Sequence, residues 1–398
     1  MNDNLNKTIG VFFGSGSPEH DVSIITAQLI ISTLKKSGHK VIPVYIAKSG
    51  KWLLGEDLGS LKMFVSPDAK ISETKKYREY VLDMEESVGK MVFRKKGFFS
   101  SAVTIDIAFP AFHGSFGEDG TMQGVFEMFG LPYVGCNVPA SAIAMDKALT
   151  KIVMQAAGVP VTKFIWFERS EWEANKQAII SRVERELSWP VFVKPVHLGS
   201  SIGIGKASDV SQLEERVEVA LHYDNKVLVE VGVENVMDVT CCLLGNAEVI
   251  ASKLQESVFG KELLDFEEKY LKDGGAQTGA SEKSVVIPAR LDETTTAAIQ
   301  SAAKKVYKAL GCSGIARVDF LYDKTARTFY ANEVNPLPGT LYHHLWKASG
   351  IEIQELVEKL IGYAQDEFEQ KRKITYTFES NILTQLKGSK LGGGKLGN

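Results

Sequence analysis

Lys194-Pro195-Val196-His197-Leu198-Gly199-Ser200-Ser201-Ile202-Gly203 joins a lysine at the end of an apolar run to a turn of small residues. Glycine and serine let backbone N–H groups come close to an anion, and the lysine brings a positive charge to a phosphate oxygen, so the stretch can grip a nucleotide phosphate. Taken alone it is equally an ordinary hairpin. A second set of residues narrows the choice. Arg317-Val318-Asp319-Phe320 and Asn332-Glu333-Val334-Asn335-Pro336 alternate polar and apolar residues as strands do, placing Arg317 with Asp319, and Glu333 with Asn335, on one face of each. If these strands pair, two carboxylates and an amide oxygen converge beside an arginine. Hard oxygen donors of that kind suit Mg2+, which combines carboxylates with nucleotide phosphates instead of an all-protein cage. A solvated strand face with a salt bridge is the competing reading, and the buried-type residues Val318, Phe320 and Val334 between the polar ones speak against it.

Elements that could hold such groups are visible along the chain. The apolar run 9–13 leads through Gly14-Ser15-Gly16 to a helix start at Ser17-Pro18-Glu19, with Ser17 suited to the N-cap and Pro18 to the first helical position; the helix runs to Lys36, with Gly38 past its end. Residues 41–47 form a second strand, the beginning of an open parallel sheet. Residues 105–112 form a buried strand leading into His113-Gly114 and the turn Gly117-Glu118-Asp119-Gly120, followed by a helix at 122–129. A helical pattern spans 141–157, with a new domain starting within it. Strands at 191–194, 227–230 and 239–244 make a second sheet region. Residues 316–322 and 328–334 form an antiparallel pair turning at Asp323-Lys324, and a last helix begins at Glu352. Residues 58–98 show no clear period and read as an insertion, whereas 387–398 are Gly/Lys-rich low complexity.

Length and composition agree with an enzyme. A chain of 398 residues with 44% hydrophobic and 24% charged content holds two or three domains of soluble type. Its net charge of -3 offers no general attraction to nucleic acid or an anionic membrane. No run of about 18 apolar residues occurs and the start lacks a secretory pattern, which together imply a cytoplasmic protein. Cys136, Cys241, Cys242 and Cys312 have no metal-ligand spacing and read as reduced packing residues.

Five stretches resemble motifs of the D-alanine-D-alanine ligases, members of the ATP-grasp superfamily, in that family's order: residues 14–23, His113-Gly114 with 117–121, Ala144-Met145-Asp146-Lys147, the Lys194 to Gly203 loop, and Arg317-Val318-Asp319 with Asn332-Glu333-Val334-Asn335. The likeness spans about residues 8 to 365. It implies an α/β chain in which an N-terminal open parallel sheet domain (1–140) precedes two ATP-grasp subdomains (141–246 and 247–372) that clasp the nucleotide, with a mobile lid at 257–280 and a flexible tail at 373–398. It further implies ATP as co-substrate, two Mg2+ ions with Mn2+ as a possible substitute, and a homodimer. The family roles fall on residues here as follows. Lys147, Lys194 and Ser201 resemble phosphate-binding residues, Lys269 the lid lysine that reaches the γ-phosphate, Glu230 the hinge residue at the adenine and Asp238 the ribose carboxylate. Asp319, Glu333 and Asn335 resemble the metal ligands, and Arg317 with the Gly339 N–H the oxyanion donors. Glu19 resembles the anchor of the first substrate's ammonium, in relay with Ser200 and Tyr270, and His113 a residue near that substrate, with a satisfied structural histidine as the alternative. A tyrosine at the Tyr270 place goes with an amine acceptor.

The sequence departs from the family's pattern in three places. The hinge 231–237 is one residue longer, and Leu264 and Phe266 stand where aromatic and tyrosine residues are common. The segment Pro338-Gly339-Thr340-Leu341-Tyr342-His343-His344 lacks several residues, including the serine that receives the acceptor's carboxylate. Thr340, Tyr342, His343 or His344 could replace it, or the aromatic residues could simply pack. Three functions stay open on this reading: a D-alanine-D-alanine ligase, an ATP-grasp ligase with another acceptor, and a non-catalytic nucleotide-binding regulator.

Overall fold

Strand β1 (Thr8–Gly14) is buried along its whole length, as expected of a strand covered on both faces in a parallel sheet. It pairs in parallel with β2 (Lys40–Ile46), which carries the antiparallel edge strand β3 (Trp52–Leu54). Three short antiparallel strands, β4 (Tyr80–Leu82), β5 (Met91–Lys95) and β6 (Ala102–Ile105), build a separate small sheet. Strand β7 (Ile107–Pro110) then returns to the other side of β1, giving the order β3-β2-β1-β7. This computed structural model describes residues 7–65, 77, 80–97, 101–258 and 285–383. The expected lid residues Leu264, Phe266, Lys269 and Tyr270, and the low-complexity stretch 387–398, lie outside them.

Three expectations for this region need correction. The single strand at 105–112 is broken at Asp106, whose carboxylate accepts from the Thr8 N–H at 2.8 Å, so that β6 and β7 serve different sheets. The stretch at 58–98 is no bare insertion: Met91 and Phe93 of β5 are buried in a core with Phe12, Ile105 and Phe126. The first helix, His20–Lys36, begins after Glu19 and not at Ser17, because Ser17 forms a turn whose hydroxyl accepts from the Glu19 N–H at 3.1 Å. Its end is as read, with Gly38 left-handed at φ 87°.

The second sheet, order β10-β9-β11-β8, is antiparallel throughout and comprises β8 (Phe164–Glu168), β9 (Val191–Pro195), β10 (Gly205–Ala207) and β11 (Lys226–Val231). Alternation divides its residues cleanly. Ile165, Phe167, Val191, Val193, Val227 and Val229 face a core shared with Trp172 and Val217 of the covering helices. Lys194, Lys226 and Glu230 take the opposite face. The expected helix at 141–157 is two helices, Val138–Met145 and Lys147–Ala156. The break lies at Asp146, whose side chain leaves helical geometry to cap the second helix by accepting from the Leu149 N–H at 2.8 Å.

The third sheet contains β12 (Val236–Leu244), β13 (Ile250–Ala251), β14 (Gln255–Ser257), β15 (Val285–Val286), β16 (Ile315–Asp323) and β17 (Thr328–Asn335). Strand β12, grouped with the second sheet in the sequence reading, instead pairs with β14 and β16. One face packs Val239, Cys241, Val318, Phe320 and Val334 against the helix Glu293–Leu310. The expected antiparallel β16–β17 pair forms, with Arg317 opposite Asn335 and Asp319 opposite Glu333. The ladder slips after Asp319, so that Asn332 has no cross-strand partner, the signature of a bulge. All four cysteines are buried and free, as read.

Candidate active site

A cleft of about 740 Å³ opens between the second and third sheets. Lys194, Glu230 and Ser201 line one wall, Asp238, Asp319 and Glu333 the other, with Lys147 between them. Pairing of β9 with β11 aims Lys194 at Glu230, and the two side chains form an ion pair in which the carboxylate is only 2% exposed. Glu230 also takes Lys151 Nζ at 2.7 Å and the Thr162 hydroxyl at 2.6 Å. Burial opposes its charge, but the two lysines outweigh burial and hold the carboxyl below the usual range. The bulge in β17 turns Asn332 toward the cleft, where its carbonyl oxygen accepts from Lys194 Nζ at 3.2 Å.

The carboxylates on the third sheet meet as the alternation requires. Asp319 takes Arg317 Nη2 at 2.7 Å, Arg317 Nε at 3.0 Å and the Thr240 hydroxyl at 2.8 Å, and Asn335 Nδ2 lies 3.4 Å from its Oδ2. Lys147 Nζ reaches Glu333 at 3.8 Å and donates to the Leu198 carbonyl at 2.5 Å. Burial, reinforced by the like charge of Glu333 and opposed by Arg317, raises the Asp319 carboxyl above its ordinary value. Among the described residues no three His, Cys, Asp or Glu side chains converge as a metal cage. Two crowded carboxylates with an amide oxygen nonetheless fit a hard divalent cation, provided that phosphate oxygens complete its shell.

A smaller cavity adjoins the cleft, and Lys147, Gly199, Arg317 and Glu333 line both. Its other walls include Glu19, His113, Ser200 and Gly339. Glu19 is placed by the turn after β1, where Ser23 Oγ accepts from the Gly14 N–H at 2.7 Å and donates to the Ala111 carbonyl at 2.7 Å. The Ser200 hydroxyl donates to Glu19. Gly199 is required for that approach, because a Cβ there would stand 2.8 Å from Glu19 Oε2. Thr26 Oγ1 accepts from the Thr340 N–H at 3.0 Å and can therefore donate to His113 Nε2 at 2.9 Å. Burial pushes His113 down to about 3, so the ring is neutral.

Models of the D-ala D-ala ligase N-terminus and C-terminus match residues 8–136 and 153–362. The chain belongs to the D-alanine-D-alanine ligase family. It is similar to the D-alanine--D-alanine ligases of Chloroherpeton thalassium (39% identity, covering 92% of this chain and 98% of the relative) and Caldicellulosiruptor bescii (39%, covering 93% and 98%). Among solved structures it resembles the VanG D-Ala:D-Ser ligase from Enterococcus faecalis, with a TM-score of 0.76, 33% identity and coverage of 90% of this chain and 99% of that one. It also resembles the D-alanine-D-alanine ligase from Coxiella burnetii, with a TM-score of 0.77, 28% identity and coverage of 96% and 99%.

Within this ligase family member, the described residues expected to act are brought to the two adjoining cavities with one exception. Thr340 is buried, its hydroxyl donating to the Gly339 carbonyl at 2.8 Å. Of the four candidates to replace the missing serine, only Tyr342 lines the large cleft, beneath the Arg317 guanidinium at 4.8 Å from its ring. Lys151 and Glu118 were not identified from the sequence. Lys151 lies one helical turn after Lys147, and that spacing was the available signal. Glu118, part of the 117–121 turn and motif but given no role of its own there, lines the smaller cavity and accepts from the Gly114 N–H at 2.9 Å.

Burial first, and the nearby Glu19 second, push Glu118 up to about 8. A carboxyl whose folded value is raised contributes stability that is complete below its ordinary value and is lost as pH rises through about 8. Glu118→Gln keeps the shape and an acceptor for Gly114 but cannot ionise. The variant is therefore expected to gain on the native protein by several degrees of melting temperature between about pH 6 and about pH 9. Parallel melting profiles across that range would show that Glu118 does not titrate there.

Proposed function

We propose that this protein joins two molecules of D-alanine at the expense of ATP, making D-alanyl-D-alanine for peptidoglycan precursors. The observation that carries this reading is the meeting of the two cavities at Lys147, Arg317 and Glu333. A phosphate donor held in the cleft would there face a small amino acid held beside Glu19. In the first step the carboxylate of one D-alanine attacks the γ-phosphorus of ATP, the bond to the β,γ-bridging oxygen breaks, and acyl phosphate and ADP form. In the second, the free amine of the other D-alanine attacks the acyl carbon, phosphate leaves, and the amine proton is released as the peptide bond forms.

On this reading Lys147, Lys194 and the loop bearing Ser201 hold the ATP phosphates, Glu230 and Asp238 the adenosine part, and Glu19 with Ser200 the first substrate's ammonium. Arg317 and the Gly339 N–H would stabilise the oxyanion of the second step. Asp319, Glu333 and Asn335 would hold Mg2+, whose charge offsets that of the phosphates. Lys269 and Tyr270 would close the site from the lid and so keep water from the acyl phosphate. The expected parts at 1–140, 141–246 and 247–372 would put ATP between the last two; the cleft between the second and third sheets supports that place for ATP, with the boundary moved ahead of β12, which belongs to the third sheet. The reading extends to a homodimer acting in the cytoplasm. No helix among the described residues is long and apolar enough to cross a membrane.

A second reading keeps the chemistry and changes the acceptor. It is favoured by the shortened segment after Gly339, where Thr340, Leu341 and Tyr342 are all left-handed (φ 48°, 55° and 50°) and Tyr342 becomes a wall of the cleft. The similar VanG enzyme is named for D-Ala and D-Ser. Both readings are tested by a mass-spectrometric screen of products from D-alanine with other D-amino acids, glycine and short peptides, run alongside phosphate release. D-alanyl-D-alanine as the dominant product is the expected result. Preference for another acceptor would replace the first reading by the second. Tyr342→Ala is expected to change the KM of the second amino acid by about tenfold and to leave that of ATP nearly unchanged. Thr340→Ala or His343→Ala altering the acceptor more than Tyr342→Ala does would move the pocket elsewhere.

A further inference from the structure

His197 lies in the phosphate loop, and no part of the proposed reaction uses it. Its Nδ1 stands 3.0 Å from Asp224 Oδ2, its Nε2 stands 3.4 Å from Asp146 Oδ2, and its backbone N–H donates to Asp224 Oδ2 at 2.7 Å. A neutral imidazole can donate from one nitrogen only, so carboxylates facing both nitrogens call for the doubly protonated ring. Each carboxylate is itself fixed by its own element. Asp146 caps the helix that carries Lys147 and pairs with Lys226 Nζ of β11 at 2.7 Å, while Asp224 ends the helix Val210–Tyr223 and accepts from the Asn225 N–H at 2.7 Å. The charged groups facing the ring are thus Asp146 and Asp224, with Lys226 on the far side of Asp146.

We propose that His197 is a positioning residue for ATP, an imidazolium bolt that ties the phosphate loop to the start of the Lys147 helix and to the end of the helix before β11. The inference rests on the ATP-site reading of the loop. Two further contacts brace the same join, Lys147 N–H to the Val196 carbonyl at 3.3 Å and Lys147 Nζ to the Leu198 carbonyl at 2.5 Å, so that the lysine and the loop move as one body. Beyond the bolt, Ser200 and Ser201 adopt left-handed backbone (φ 54° and 59°), a conformation that is costly for non-glycine residues and persists only where the surroundings impose it. Hydrogen bonds to Asp146 and then Asp224 raise His197 to about 9. Burial opposes the charge of Asp146 and Asp224, and both carboxyls are held low by the sum of their partners, His197 with Lys226 and the Leu149 N–H at Asp146, and His197 with the His197 and Lys226 N–H groups at Asp224. A raised histidine contributes in full below its ordinary value, and its contribution is lost as pH rises through about 9.

The test measures binding of a non-hydrolysable ATP analogue with Mg2+ by calorimetry, on the full chain, from about pH 7 to about pH 10. In His197→Gln the Kd for the analogue is expected to rise about tenfold at neutral pH, the loss expected when a charged hydrogen-bond anchor is removed. The turnover number at saturating ATP should fall less than about threefold and the KM for D-alanine should stay near native, a split that general loosening of the fold would not produce. Native affinity should weaken as pH passes about 9, whereas the variant should lack that limb. His197→Arg, which keeps a cation between the two carboxylates, should recover part of the affinity and lose the limb. Should His197→Gln fail to fold, Asp224→Asn serves instead, with the alkaline limb expected at lower pH. A folded His197→Gln with native Kd, or with an unchanged alkaline limb, overturns the inference. Failure of the native protein to bind the analogue would overturn the ATP-site reading and this inference with it.

Discussion

Lys194→Met is expected to lower ATP-dependent phosphate release by roughly 10²- to 10³-fold, the scale found when one preorganised charge is removed from a transition state. Lys194 sits at the end of β9, at the head of the phosphate loop, and its ammonium lies in the cleft between Glu230 and Asn332. The motif alone assigns Lys194 a phosphate contact and no structural partner. The structure changes that expectation, because Lys194 is buried and paired with a buried carboxylate. Breaking a buried ion pair is costly when the remaining charge is left alone. Here it is not left alone, since Lys151 and Thr162 still hold Glu230. The variant should therefore stay folded with a melting temperature lowered by several degrees. Near-native turnover in a folded variant would place the phosphate site elsewhere.

Loss of a carboxylate at the junction is expected to have the second largest effect. Glu333→Ala removes one of the two anionic oxygens offered to Mg2+, and the Mg2+ concentration for half-maximal rate should rise by about 10- to 100-fold, the scale seen when a supporting group of a metal site is lost. Asp319→Ala should do the same and lower the rate at saturating Mg2+ as well. The reason is that Asp319 also orients Arg317, accepting both from Nε and from Nη2. Comparing the two variants separates the roles: a rate defect that persists at saturating Mg2+ in Asp319→Ala but is relieved in Glu333→Ala assigns the orienting role to Asp319. Titrating Mg2+ against phosphate release is the measurement, and an unchanged requirement in both variants would sink the metal assignment.

Much of the site was legible because its residues lie on strands, where alternation is a local rule. Arg317 with Asp319, and Glu333 with Asn335, could each be assigned to one face of their strand before any coordinates, and the β16–β17 pairing brings the two faces together. Glu118 and Lys151 were not legible, because what distinguishes them is burial beside a charge from distant chain. Glu19 approaches Glu118 across the fold, and Glu230 of β11 approaches Lys151 on its helix. The broken helix at Asp146 was missed for a related reason. An aspartate in a helical run can face solvent or cap a new helix, and the choice here goes with partners at Lys226 and His197.

By itself the sequence determined the order of motifs, the facing of polar groups along individual strands and the oxygen-rich, divalent-cation character of their donors, since each follows from residue type and a period of two. Only the tertiary structure decided that β12 joins the third sheet, that Lys194 is held by Glu230, that Glu118 retains its proton up to about 8, and that Tyr342 rather than Thr340 lines the cleft. Those outcomes depend on which distant segments come together and how much water they exclude, and a carboxyl or an ammonium changes its behaviour with exactly those two conditions.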